Sequence, residues 1–311
     1  MTCWRRRTGN SATATKTPAS SGIRVMPKRT IAALAAAGAL IAGCSDPAPD
    51  SPTDVVVGDR PEAVLSLSPT ATETLFAVGA GDQVVAVDSQ SDFPPDAPKT
   101  DLSAYTPSLE AIVGYKPDLV IASDDIDGLV AGLDAADIPV LLLPAATTID
   151  DAYSQIERIA DATGHDAEGD ALVAATRDRI DAAVARAPRE EQTYFHELDS
   201  TLYTVTSQSF VGQIYGLFGL TSIADGSAGG DYPQMSDEGV IAADPDIVFL
   251  ADSQCCGESA ESVAARPGWS VTTAVRKGKV FAMDEDLSSR WGPRIADQAE
   301  AVASLLVSGN P

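Results

Sequence analysis

The sequence predicts an α/β protein of two lobes, each a parallel-sheet α/β sandwich, joined by one long rigid interdomain helix. Three observations point there. Ser108-Leu109-Glu110-Ala111-Ile112 followed by Lys116-Pro117-Asp118-Leu119-Val120 recurs at identical spacing as Ser236-Asp237-Glu238-Gly239-Val240 followed by Asp244-Pro245-Asp246-Ile247-Val248, so the chain holds two related halves. In both halves short apolar strands alternate with helical segments, the order that builds parallel sheets with covering helices. Between the halves, residues 149–187 keep helical spacing with one break at Gly164-His165.

Along the chain, Val64 to Leu67 reads as a strand, and Ser68-Pro69 opens a helix to Val78 that stops at Gly79. Strands follow at Val84 to Val87, Leu119 to Ala122 and Val140 to Leu143, with helices near 108–114 and 126–135 between them. The joining helix covers 167–187, with Leu172, Val173, Ile180 and Val184 at helical spacing, and little hinge motion is expected of it. The second half then offers strands at Thr193 to Leu198 and Leu202 to Val205, a helix at Phe210 to Phe218 and the repeated helix from Ser236. Strands at Ile247 to Ala251 and Val280 to Met283 and a last helix from Ile295 to Val307 complete it. In each repeat a Ser caps a short helix, a Glu stands two residues on in the first turn, and Pro-Asp breaks the helix before a strand. The resulting division is 62–164 for the first lobe, 165–188 for the joining helix and 189–311 for the second lobe.

The first 43 residues hold seven basic residues (Arg5, Arg6, Arg7, Lys16, Arg24, Lys28, Arg29) and no acid, and an apolar stretch from Ile31 to Ala42 runs into Gly43-Cys44. That is the pattern of a secretory signal, too short to stay as a membrane span. Met26-Pro27-Lys28-Arg29 would be a compact start by itself, which makes residues 1–25 an extension of doubtful reality. The whole chain has 21 basic and 45 acidic residues; without the seven basic ones, 14 stand against 45, a net charge of −31. Such a surface repels nucleic acid and anionic headgroups. Residues 44–61, rich in Pro, Asp and Ser, read as a flexible tether. Of four cysteines only Cys255 and Cys256 fall in the lobes, so no disulfide framework holds the fold.

Several of these segments together resemble the helical-backbone (class III) substrate-binding proteins of ABC importers, the family that binds ferric siderophores, haem and vitamin B12. The resemblance covers roughly 62–308. It rests on Leu67-Ser68-Pro69-Thr70-Ala71-Thr72-Glu73-Thr74-Leu75, Asp92-Phe93-Pro94-Pro95, Leu109-Glu110-Ala111-Ile112 with Lys116-Pro117-Asp118-Leu119-Val120-Ile121, and Gly292-Pro293-Arg294. It implies ligand held between the lobes, Glu110 and Glu238 docking onto arginines of an ABC permease dimer, and no catalysis. The tetrad Ile41-Ala42-Gly43-Cys44 likewise resembles a bacterial lipobox, which would place lipid on Cys44 and hold a monomer at the extracytoplasmic face of the cell membrane.

Loops past the carboxyl ends of parallel strands line the crevice where ligands bind. They nominate Ser68, Gln90, Phe93 and Tyr105 on the first lobe, and His196, Tyr203, Tyr232, Cys255, Cys256, Arg290, Trp291 and Arg294 on the second. Tyr232 and Arg290 match ligand-contact positions of the B12-binding members, whereas Gln90 and Ala104 replace aromatic residues there. The ligand expected on this basis is a ferric siderophore or similar iron chelate, with haem or cobalamin as alternatives. Flat Tyr105, Tyr232, Trp269 and Trp291 can stack on a ring, and the arginines can meet carboxylates. Trp269 can equally pack under its lobe, and Arg294 can neutralise Asp297. Cys255-Cys256 could close a vicinal disulfide or, as thiolate, reach haem iron. With only His165 and His196 available, no free metal site and no cofactor is expected, though His196 could serve as an axial haem ligand. His165, in its break, reads as solvated. A secreted lipoprotein hydrolase using Ser68 or Ser209 with His196 is the rival from another class, without a Gly-x-Ser-x-Gly elbow to support it.

Overall fold

The computed structural model describes residues 60–309. Cys44, the basic leader and most of the tether lie outside the described residues.

The first sheet is parallel throughout. Its strands are β1 (Val64–Leu67), β2 (Val84–Val87), β3 (Leu119–Ala122) and β4 (Val140–Leu142), in the order β2-β1-β3-β4. β1 and β3 are buried at every position, as strands covered on both faces must be. Around them lie α1 (Pro69–Ala77), α2 (Leu109–Gly114) and α3 (Leu129–Asp134). α4 (Ile149–Thr163) begins with a reciprocal capping box between Thr148 and Asp151 and ends at Gly164, whose φ of 71° is the left-handed conformation a side chain would disfavour. α5 (Asp166–Arg186) then runs 21 residues to the second half.

The second sheet repeats the first. β5 (Gln192–Glu197), α6 (Phe210–Gly216), β6 (Leu220–Ser222), α7 (Asp237–Ala243) and β7 (Ile247–Leu250) come first in the chain. After them come α8 (Ser253–Cys256), α9 (Ala260–Ala265), α10 (Thr273–Arg276), β8 (Val280–Ala282) and α11 (Ile295–Ser308). The strand order is β6-β5-β7-β8, again parallel. α11 lies along α5, pinned there by Arg179 on Asp297 at 2.5 Å and Glu300 at 2.9 Å.

The repeated segment does the same work twice. Ser108 Oγ accepts from the Ala111 N–H and Ser236 Oγ from the Gly239 N–H, each capping its helix. Both helices then turn out through a left-handed residue, Lys116 at φ 53° and Asp244 at φ 49°, into buried Pro117 and Pro245. The following aspartates clip the start of the neighbouring strand. Asp118 accepts from the N–H groups of Glu62 and Ala63 at 2.7 and 3.0 Å, and Asp246 from the N–H of Thr193 at 3.0 Å.

One apolar core runs through both halves, from Val64, Leu75 and Ile121 through α4 and α5 to Tyr194, Phe249 and Val302. Smaller clusters fill the outer face of each sheet. Three expectations change. Leu202 to Val205 is no sheet strand but pairs antiparallel with the run 231–235, through Thr204 N–H to Pro233 O and Met235 N–H to Leu202 O. The short β6 takes the sheet edge instead, and α8, α9 and α10 fill the second half where no helix was expected. At the near end of the tether, Pro61 is buried and its carbonyl accepts from Gln83, while Arg60 reaches His165 at 2.6 Å. His165 is thus buried and bonded rather than solvated.

Candidate functional site

The junction of the lobes is built by the segment before α11. Arg290, on the second half, sends Nη1 to Glu73 on α1 at 2.7 Å and Nη2 to Asp92 at 2.8 Å, to Asp286 at 2.8 Å and to the Gln90 carbonyl at 3.3 Å. Glu73 is 2 % exposed and also accepts from Arg294 at 3.1 Å. Burial raises the Glu73 carboxyl above its ordinary pKa in spite of both arginines. Burial likewise raises Asp88, which accepts a 2.6 Å bond from Ser91 beside this cluster. The Arg294 guanidinium lies over the Phe93 ring, 4.3 Å from its centre, and reaches Asp297 at 3.6 Å. Trp291 packs against the common core, lines a small cavity together with Ala71, Thr74, Ile156 and Ile159 of α1 and α4, and donates to Gln155 Oε1 at 3.0 Å.

Gln90, Phe93, Arg290, Trp291 and Arg294 therefore meet at one place. Glu73, Asp92 and Asp286 complete it, and sequence reasoning missed all three. The two guanidiniums are thus already matched by the carboxylates of Glu73, Asp92 and Asp286, while Asp297 is also paired with Arg179.

Tyr105 and Tyr232 stand apart from this cluster. Each is exposed, at 73 % and 46 %, on the loop leading into its copy of the repeated helix. Glu110 and Glu238, in the first turns of α2 and α7, are both exposed. Beside Glu238 opens a groove of about 580 Å³, lined among others by Gln234, Met235, Glu258 and Arg266.

His196 is corrected by the structure. It is fully buried on β5, its Nδ1 2.9 Å from the Tyr215 hydroxyl, and burial pushes its pKa down to about 3, so it is a neutral core group and is not presented to a ligand or to haem iron. Trp269 is buried as well, edge-on to Phe195 and donating to Asp237 at 2.6 Å. The Ser–His arrangement of a hydrolase is not assembled among the described residues. Ser68 Oγ meets Ser123 Oγ at 2.8 Å, and Ser209 Oγ donates to the Thr206 carbonyl at 2.8 Å while capping α6.

At the tips of β5 and β7 the second lobe holds a charge cluster that the sequence also hid. Arg266 binds Glu197 through both nitrogens, at 2.6 and 2.5 Å, and Glu258 at 2.8 Å. Asp252 is buried behind them, and burial, then the charges of Glu197 and Glu258, push its pKa up to about 7. Next along the chain, Cys255 and Cys256 are exposed on α8 with their sulphurs 2.7 Å apart. Among the described residues no group of three or more His, Cys, Asp or Glu side chains could hold a metal ion, and no helix is long and apolar enough to cross a membrane.

Comparison with known proteins agrees with this architecture. Residues 64–287 match the periplasmic binding protein family, so the chain belongs to that family. It is similar to an uncharacterized ABC transporter substrate-binding lipoprotein of Bacillus subtilis, 29% identical over 307 residues covering 88% of this chain and 95% of that one. A cobalamin-binding protein of Halobacterium salinarum is 32% identical, over 84% of this chain and 74% of its own length. Among solved structures, the periplasmic vitamin B12 binding protein of Vibrio cholerae superposes with a TM-score of 0.68 and 26% identity, over 80% of this chain and 98% of the other.

Proposed function

We propose that this protein is the lipid-anchored solute receptor of an ABC importer, held outside the cell membrane through Cys44, and that it captures a metal chelate of no net negative charge, a corrinoid first of all. The observation that carries the ligand class is the pairing of Arg290 and Arg294. Both guanidiniums are already bonded to Glu73, and Arg290 is held by Asp92 and Asp286 as well. An anionic ligand would have to break those pairs and then face unpaired carboxylates. A neutral ring system rich in amides meets no such penalty. The named ligands of the Halobacterium and Vibrio relatives support a corrinoid. An iron chelate stays within the class where three hydroxamates neutralise the ferric ion; a ferric catecholate, with a triple negative charge, and haem, with two propionates, fall outside it. Exposed Tyr105 and Tyr232 would supply flat contact area.

Docking to the permease would run through Glu110 and Glu238, one per lobe, matched to a partner of two-fold symmetry. The receptor itself would act as a monomer and would make or break no bond. The test is a titration of the purified protein with cyanocobalamin, a neutral ferric trihydroxamate and haemin, followed by visible absorbance and calorimetry. Cyanocobalamin or the trihydroxamate should bind at least tenfold more tightly than haemin. Haemin binding the tightest would overturn the reading.

A further inference from the structure

Cys255 and Cys256 have no part in the ligand reading above, yet their surroundings are built. They occupy the single turn of α8, held by Cys256 N–H to Asp252 O at 3.1 Å and closed by Gly257 in the left-handed region at φ 77°. Their sulphurs converge to 2.7 Å at the surface. The Cys255 N–H donates to Glu285 Oε1 at 2.5 Å. Glu285 adjoins Asp286, which holds Arg290 at 2.8 Å, and Arg290 in turn holds Glu73 of the first lobe. The cysteine pair is thus a short chain of contacts away from the lobe junction.

We propose that Cys255 and Cys256 form a redox modification site, closing to a vicinal disulfide by exchange with a small or protein disulfide, and that closure reshapes α8 and loosens the 284–290 segment that carries Arg290. The exchange balances without any other reagent. One thiolate attacks a sulphur of the oxidant and expels a thiolate; the second cysteine thiolate attacks the mixed disulfide and expels the other. The two protons leave with the two departing thiols, and the two electrons stay on the reduced oxidant.

Geometry explains the coupling. Neighbouring Cα atoms lie about 3.8 Å apart, short of the ~4.4 Å at which ordinary disulfides begin, so the ring closes only by twisting the peptide between the two cysteines. A helical turn sets successive side chains about 100° apart and cannot keep its hydrogen bonds through that twist. The Cys255 N–H would then leave Glu285.

The proposal rests on the extracytoplasmic location proposed above for its occurrence in the cell, and an exchange in vitro tests the pair itself. Purified protein is incubated with glutathione disulfide, and the peptide containing Cys255 and Cys256 is weighed by mass spectrometry. The expected peptide has lost two hydrogens and carries no glutathione, and Cys255→Ser abolishes that product. Amide exchange of residues 254–257 and 285–288 should be about tenfold faster in the oxidised than in the reduced protein. A lasting glutathione adduct or unreacted thiols would overturn the ring; a closed ring with unchanged exchange at 285–288 would overturn its link to the junction. Finding the pair reduced in protein taken from cells, after the ring has closed in vitro, would count against the location and leave the site standing.

Discussion

The two lobes share a strand order, a cap, a left-handed exit and an aspartate clip, yet their strand tips are chemically opposed. Leu67 ends β1 in an apolar setting, and Asp124 beyond β3 is exposed. At the matching places of the second lobe stand Glu197 and Asp252, both fully buried and served by Arg266. The interiors differ in the same way. Aliphatic side chains dominate the first sheet, while in the second half Tyr215 of α6 stacks on Phe249, rings 4.5 Å apart at 7°, and Tyr194 packs on both at a tilt. What the halves keep in common is backbone chemistry; what separates them is the filling. A repeat can therefore hold a topology fixed while each copy acquires its own electrostatics.

Breaking the second lobe's cluster should give the largest effect. Arg266→Leu leaves Glu197 buried without its counter-ion and is expected to cost about 3 to 5 kcal/mol in urea unfolding, since removing one partner of a buried pair strands the other. No first-lobe substitution at the equivalent tip has such a partner to strand. The same cluster sets a pH slope. Asp252 releases its proton at about 7 in the folded protein and near its ordinary 3.8 when unfolded, so its contribution is complete below pH 4 and is lost as pH rises to 7. His196 acts in the other sense. It stays neutral to about 3 when folded against 6.5 unfolded, so its contribution is present above 6.5 and is lost as pH falls towards 3. Urea midpoints at pH 4, 5.5 and 7 should therefore shift in favour of high pH for Asp252→Asn and in favour of low pH for His196→Gln. Parallel profiles for wild type and both variants would refute these assignments.

Docking sharpens the comparison from the side of likeness. Glu110→Arg and Glu238→Arg should each lower uptake of the chelate by cells about tenfold, and by similar factors, while leaving affinity in solution unchanged. A strong loss from one and none from the other would show that only one lobe engages a permease arginine. Smaller still, Asp118→Ala and Asp246→Ala should each destabilise by about 1 kcal/mol through loss of the strand clip, as thermal unfolding would record. Similar shifts are expected because each substitution removes two accepted bonds, from the N–H groups of Glu62 and Ala63 at Asp118 and from the N–H and hydroxyl of Thr193 at Asp246.

Where local chemistry decides a shape, the sequence showed it. The Ser caps, the Pro-Asp breaks, the glycine between α4 and α5 and all but one of the sheet strands follow from residue types within a few positions of one another. β6 was hidden because Leu220-Thr221-Ser222 is too short to show alternation, and Leu202 to Val205 misled because an apolar run can pair outside a sheet. Site residues divide the same way. Arg290, Arg294 and Phe93 stood out as charged or aromatic residues in loops, but Glu73 and Glu197 lie within a helix and a strand, and only tertiary contact over 217 and 69 residues of chain explains a buried carboxylate there. His196 failed for the converse reason: its place near a strand end suggested a loop-facing ring, whereas the alternation of the strand turned it onto Tyr215.

The anchorage of Trp291 on α4 has a consequence for how this molecule could be taken apart. Although the sequence is written as two copies, the indole of the later copy packs on the core and bonds Gln155 of the earlier one, and one core passes beneath both. A gene cut near residue 188 would thus yield two fragments that each display a raw apolar wall, and neither should accumulate in soluble form unless the other is made beside it. Calorimetry of the intact chain should for the same reason record a single melting transition.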